Sequence, residues 1–175
     1  MFSGKTEELI RRLRRAELAK QKTHIFKPAI DTRRDALTIN SHNGTMLAAY
    51  PVQDSSVVLS TMIEPSTVVG IDEVQFFDSR IIEAILTLVN RGNRVIVAGL
   101  DLDFRGVPFG CIPQLLALAD SITKLNAVCI TCGADAHFTQ RLINGKPSRF
   151  DDPVIVIGAE ECYQARCRSC YQIDQ

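Results

Sequence analysis

Two short apolar runs on either side of an amphipathic stretch constrain this chain more than any other feature. Residues 67–71 (Thr-Val-Val-Gly-Ile) and 94–98 (Arg-Val-Ile-Val-Ala) each open on a polar residue and continue without another. A strand with one wet face would alternate; consecutive apolar residues belong to strands covered on both faces, as in parallel sheets. Between them, residues 79–89 place apolar side chains at helical spacing, and Asn90-Arg91-Gly92 supplies a stop. Strand, helix and strand in that order form a right-handed crossover unit. The expected fold class is therefore α/β, a parallel sheet with helices on both faces.

The rest of the chain is read around that unit. Residues 6–20 predict a helix with Leu9, Ile10, Leu13 and Leu18 facing inward. A short strand covers residues 24–26 and ends at Pro28. Residues 31–43 are polar and turn-rich, as a loop near an active site would be. Asp54-Ser55-Ser56 is placed to cap a short helix reaching Met62. A helix near residues 112–119 and a strand near 122–126 complete the core. From Ala127 onward cysteine, glycine and proline increase and helical periodicity fades. The division expected is a core over residues 1–126 and a smaller unit over 127–175.

The chain has 175 residues and is 46% hydrophobic, enough for a sizeable core. Twenty basic residues balance twenty acidic ones, which gives no general electrostatic case for nucleic-acid or anionic-membrane partners. Arg11, Arg12, Arg14 and Arg15 are the local exception and read as a solvated or subunit-facing helix face. No apolar stretch reaches membrane-spanning length and no secretory signal opens the chain, so a cytoplasmic location is expected.

Met1-Phe2-Ser3-Gly4-Lys5-Thr6 looks like the back half of a phosphate-binding loop. Gly4 lets the backbone approach phosphate oxygens, Lys5 neutralises the outer phosphates, and Thr6 offers a hydroxyl to Mg²⁺. The helix that follows adds its positive end. On its own this tetrad also fits an ordinary polar helix start. Asp72 and Glu73 follow the first buried run, which places carboxylates at the C-terminal edge of a parallel strand. An acid there is what a Mg²⁺–nucleotide site requires.

Cys129-x-x-Cys132 and Cys167-x-x-Cys170 are two knuckles with 34 residues between them. Four thiolates so arranged suit a tetrahedral structural zinc ion, with no position left open for catalysis. Disulfides and a redox Cys-x-x-Cys are the competing readings. Cys111 and Cys162 lack a knuckle partner and are expected to be buried small apolar residues.

Taken together, residues 1–6, Asp31-Thr32-Arg33, residues 72–77, Leu100-Asp101, Phe104, Pro108-Phe109-Gly110, both knuckles and Tyr163 resemble the zinc-containing, cellular and bacterial type of thymidine kinase. The resemblance implies a phosphate-loop kinase core with a C-terminal zinc-binding, ribbon-like lid, and phosphorylation of the thymidine 5′-hydroxyl by ATP. It implies Glu73 as general base, with Lys5 and Arg33 stabilising charge on the transferred phosphoryl group. ATP would be held by Met1, Phe2, Ser3, Gly4, Lys5, Thr6, Asp72 and Gln75, and Mg²⁺ by Thr6 and Asp72. The thymidine pocket would draw on Met1, Phe76, Leu100, Phe104, Phe109, Thr139, Val154, Val156 and Tyr163. Residues 140–163 would form the lid over the base, with Gly145, Pro147 and Gly158 as turn or hinge points, anchored by zinc on Cys129, Cys132, Cys167 and Cys170. A homotetramer inhibited by thymidine triphosphate is also implied.

Members of that family carry a strand and a first loop glycine before the position of Met1. The expectation is that the true start lies upstream and that a longer product is the working enzyme. Two other readings stand beside it: a zinc-binding remnant without catalysis, and a nucleic-acid-stimulated ATPase suggested by Asp72-Glu73-Val74-Gln75.

Overall fold

Burial follows the consecutive apolar run in the strand at residues 68–71. The expected burial of the run at 94–97 is corrected: that strand lies at the sheet edge, Val95 and Ile96 are half-buried, and Val97 is exposed. The computed structural model describes residues 1–30, 38–40, 46–61, 63–155 and 162–174. Its central sheet has four parallel strands in the order β4-β1-β5-β6: β1 (Thr23–Pro28), β4 (Tyr50–Val52), β5 (Val68–Ile71) and β6 (Arg94–Val97). All four residues of β5 are buried. Neighbouring positions serve opposite faces. Ile25, Val68 and Ile96 pack with one apolar cluster, while Phe26, Val69, Ile71 and Val95 pack with another.

The first cluster is closed by α1 (Lys5–Leu18) through Leu9, Ile10, Leu13 and Ala16. Gly70 permits that approach: a Cβ there would lie 2.8 Å from Leu13 Cδ1. The second cluster is closed by α2 (Ser55–Ser60), α3 (Ile81–Asn90) and α4 (Ile112–Leu118), through Val58, Ile81, Ala84, Leu88, Ile112 and Leu115. Helices thus cover both faces of a parallel sheet, which is the expected α/β class.

Local signals behave as their chemistry requires. Asp54 accepts from the backbone of Ser56 at 2.7 Å and caps α2. Gly92, at φ 83°, follows the end of α3. Buried Asn93 donates to the Leu88 carbonyl and accepts from Thr67 N, both at 3.1 Å, which ties the end of α3 to the start of β5.

Four further expectations are corrected. Leu18 is 83% exposed, because α1 is ending there and has turned away from the sheet. Residues 122–126 form no strand; Ile122 and Leu125 are exposed, and Lys124 pairs with Asp101 at 2.9 Å. Part of the polar segment expected as loop is an antiparallel hairpin strand, β2 (Thr38–Asn40), pairing β3 (Met46–Ala48). Cys162 is exposed, whereas Cys111 is buried with its thiol 3.4 Å from the Val74 carbonyl.

The chain divides into two compact units. Gly4–Leu100 with Gly110–Ser121 contain the parallel sheet and its helices. Met1–Ser3, Asp101–Phe109 and Ile122–Gln175 form the other. The second unit contains the hairpin β7 (Ala127–Val128) and β8 (Asp135–Ala136), and the antiparallel sheet β10 (Lys146–Pro147), β9 (Phe138–Ile143) and β11 (Cys162–Arg166) in the order β10-β9-β11. Among the described residues no helix is long and apolar enough to cross a membrane.

Candidate active site and metal centre

The start of α1 and the end of β5 bring Gly4-Lys5-Thr6 and the acidic pair together within the sheet-bearing unit. Gly4 sits at φ 76° before the first helical turn, a left-handed conformation that costs glycine nothing. A Cβ there would also meet Glu7 Oε2 at 2.9 Å. Lys5 and Thr6 open α1, so their side chains lie at its positive end. The Thr6 hydroxyl donates to Asp72 Oδ2 at 3.1 Å, joining two residues 66 positions apart. Asp72 Oδ1 accepts from the Glu73 backbone at 2.9 Å.

Asp72 is 5% exposed. Burial, then the neighbouring Glu73 charge, push its carboxyl from the ordinary 3.8 up to about 6. The Glu73 N–H, the Thr6 hydroxyl and the Lys5 charge pull the other way without winning. A buried carboxylate under this strain is a natural seat for a cation, which would supply the missing countercharge. Hydroxyl and carboxylate oxygens are the donor set that Mg²⁺ prefers, so Thr6 and Asp72 fit that ion.

Glu73 has φ 47°, outside the conformations a side chain favours. Its carboxylate accepts from Gln75 Nε2 at 2.5 Å, and Gln75 Oε1 accepts from Leu100 N at 3.1 Å. Gln75 is buried and crowded by two glycines. A Cβ on Gly99 would lie 2.8 Å from Gln75 Oε1, and one on Gly110 would lie 2.6 Å from its carbonyl oxygen. Gln75 therefore holds the Glu73 side chain against the chain after β6. Phe76 ends the short 3-10 turn Val74–Phe76 that carries Gln75.

In the second unit the four knuckle cysteines converge, all Sγ atoms lying within 4.8 Å of one another. Cys132 and Cys167 Sγ are 3.5 Å apart. Sulfurs at the corners of a zinc tetrahedron with ~2.3 Å bonds stand about 3.8 Å apart, so the donor set fits zinc in number, type and spacing. The first knuckle is a tight turn, with Gly133 N donating to Cys129 O at 2.8 Å. In the second, Tyr171 N donates to Cys167 O at 3.0 Å. Hydrogen bonding from the Cys167 backbone lowers the Cys129 thiol to about 6, while sharing protons with Cys167 pushes Cys170 up to about 12. A metal ion bound by this cluster would displace the thiol protons, so its binding would depend on pH. The surrounding core is small, built from Ala127, Ala136 and Ala165 beside the cysteines.

The same unit orders several residues expected around a base. Thr139 lies on β9, with Oγ1 2.8 Å from the Met1 nitrogen. Tyr163 pairs with Arg141 in the β9–β11 ladder. Phe104 is buried, and its carbonyl accepts from the Tyr171 hydroxyl at 2.6 Å. Phe109 N donates to Asp101 O at 3.0 Å. Asp103 accepts from the backbone of Arg105 at 2.8 Å and of Val107 at 3.2 Å, which folds residues 101–109 into a fixed loop.

A family model described as "TK: Thymidine kinase" matches residues 1–171. The chain belongs to the thymidine kinase family. It is accordingly a kinase by family, and four close cysteines able to hold a metal ion accompany its α/β core.

For this thymidine kinase family member, the residues singled out in the sequence fall into two groups. Gly4, Lys5, Thr6, Asp72, Glu73, Gln75, Phe76 and Leu100 belong to the sheet-bearing unit. Met1, Phe2, Ser3, Phe104, Phe109, Thr139, Val154, Tyr163 and the four knuckle cysteines belong to the other. Arg33 and Val156 lie outside the described residues. So does Gly158, one of the turn or hinge points expected from the sequence. The bridging position of Gln75, between Glu73 and Leu100, was not visible in the sequence. Arg141, Asp103 and Tyr171 were missed as well. Polar residues on a short strand or loop carry no periodic signal that separates buried from exposed. Gly99 beside an apolar run was the available hint of a close approach.

Proposed function

We propose that the chain transfers the γ-phosphoryl group of ATP to the 5′-hydroxyl of thymidine, giving thymidine monophosphate. Membership of the thymidine kinase family supports the acceptor. The single observation that best supports the chemistry is the convergence of Thr6, Asp72, Glu73 and Gln75 in one unit.

In this reading Gly4, Lys5 and Thr6, with the backbone of Met1, Phe2 and Ser3, hold the triphosphate at the positive end of α1. Thr6 and Asp72 would hold Mg²⁺, which when bound neutralises phosphate oxygens. Glu73 accepts the proton of the 5′-hydroxyl as that oxygen attacks phosphorus. Gln75 orients the Glu73 carboxylate through their hydrogen bond. Lys5 and Arg33 offset the charge spread over the transferred group. The base is held by Phe76, Leu100, Phe104, Phe109, Thr139, Val154, Val156 and Tyr163, with residues 127–175 acting as a zinc-anchored lid on a core of residues 1–126. Zinc on Cys129, Cys132, Cys167 and Cys170 is structural. A cytoplasmic homotetramer restrained by thymidine triphosphate completes the reading.

The test is nucleoside-dependent conversion of ATP to ADP, with product identification by mass. Thymidine is expected to yield its 5′-monophosphate, while purine nucleosides yield nothing comparable. Hydrolysis of ATP that responds to nucleic acid and ignores thymidine would refute the proposal.

A further inference from the structure

Arg141 is fully buried, and it is the largest side chain in the described structure to be so. Its guanidinium joins three separate stretches of one unit. Nε donates to Ser148 Oγ at 2.9 Å, just after β10. Nη1 donates to the Pro153 carbonyl at 2.7 Å, one residue before Val154. The Asp152 carboxylate stands 3.6 Å from Nη2. Cζ lies 3.6 Å from the centroid of the Phe104 ring, close contact for a cation on an aromatic face.

Burying a cation is costly, and the Asp152 carboxylate beside it is itself partly exposed. Simple packing would be served better by an apolar residue. What a guanidinium provides here is shape: a rigid plane whose edge reads a hydroxyl and a carbonyl while its face covers a ring. Thr139, two residues earlier on β9, and Tyr163, opposite Arg141 on β11, are tied to the same strand pair. Arg141 thereby fixes Phe104, and the backbone entering Val154, relative to Thr139.

We infer that Arg141 is a positioning residue for thymidine recognition: it sets the Phe104 ring and the backbone before Val154 and does not itself touch the nucleoside. This rests on the reading that Phe104, Thr139 and Val154 face the base.

The experiment compares full-length wild type, Arg141→Lys, Arg141→Met, Ser148→Ala and Phe104→Ala. Steady-state constants for thymidine and for ATP are measured beside metal content and thermal melting. Both Arg141 variants are expected to raise KM for thymidine by roughly tenfold or more, the scale on which a displaced positioning group acts. KM for ATP should move by a clearly smaller factor, since Gly4, Lys5 and Thr6 lie in the other unit. Lysine should not rescue, because it lacks the planar fork. Ser148→Ala keeps the arginine and removes one partner, so it should move KM for thymidine in the same direction by a smaller factor. It decides the question if the Arg141 variants fail to fold.

A loss of active protein with both KM values unchanged would overturn the inference, as would full rescue by lysine. If Phe104→Ala raises KM for thymidine and neither Arg141→Lys nor Ser148→Ala does, this inference fails alone. If Phe104→Ala is also silent, or wild type does not use thymidine, the reading of the base pocket fails and takes this inference with it.

Discussion

Asp72 and Glu73 are adjacent carboxylates in different surroundings, and the difference separates their proposed duties. Asp72 is buried, hydrogen-bonded to Thr6, and holds a proton up to about pH 6. Its folded state therefore binds a proton that the unfolded chain releases near 3.8. Stability contributed by this group is highest below that range and falls as pH rises through about 4 to 6. Asp72→Asn should thus raise the melting temperature of the metal-free protein by a few degrees at pH 7, with the gain vanishing near pH 4. Calorimetry at the two pH values checks it. Adding Mg²⁺ should narrow the gap at pH 7 by stabilising only wild type. Glu73 instead depends on Gln75 for its direction. Gln75→Ala should cost about 10-fold to 100-fold in kcat, less than loss of the base itself, and leave the melting temperature within a few degrees. The acidic pair was legible from its place after a buried run. The role of Gln75 was not, because a glutamine's two hydrogen bonds depend on where Leu100 folds back.

At the scale of elements, the sheet was the readable part. Consecutive apolar residues marked β5 and β6, and the alternation of Val68 and Val69 between clusters shows why no period-2 pattern appeared. Gly70 interrupts the run because α1 presses Leu13 against it. Gly70→Ala should destabilise by about 1–3 kcal/mol through overpacking. In a Leu13→Ala background the same glycine substitution should cost less, and urea titration of both variants and the pair measures the coupling. Short elements were less legible. Residues 122–126 have strand-like composition but join no strand pairing among the described residues, and β2, β3 and β4 are three residues each, too short for periodicity to speak. Leu18 shows the same limit at a helix end, where one more residue of rotation decides inside from outside.

At the scale of the whole molecule, the two units differ in what holds them. The sheet-bearing unit has large apolar clusters on both faces of its strands. Around the cysteines the core is alanine and sulfur, with stacked Phe138 and Tyr171 at 4.6 Å nearby. Metal binding is therefore expected to contribute folding free energy there. Cys132→Ser with Cys170→Ser should lose about one zinc per chain and lower the melting temperature substantially, as metal analysis and calorimetry would show. The knuckles were legible because spacing alone specifies them; the packing that surrounds them required the fold.

The central claim is that Glu73 removes the proton from the thymidine hydroxyl within an ATP-dependent transfer. The most direct measurement is kcat for thymidine phosphorylation by wild type and Glu73→Gln, with zinc content and melting temperature matched. The account predicts turnover in wild type and a fall of about 10²- to 10⁴-fold in the variant, with little change in KM for ATP. Wild-type-like turnover in Glu73→Gln would contradict it.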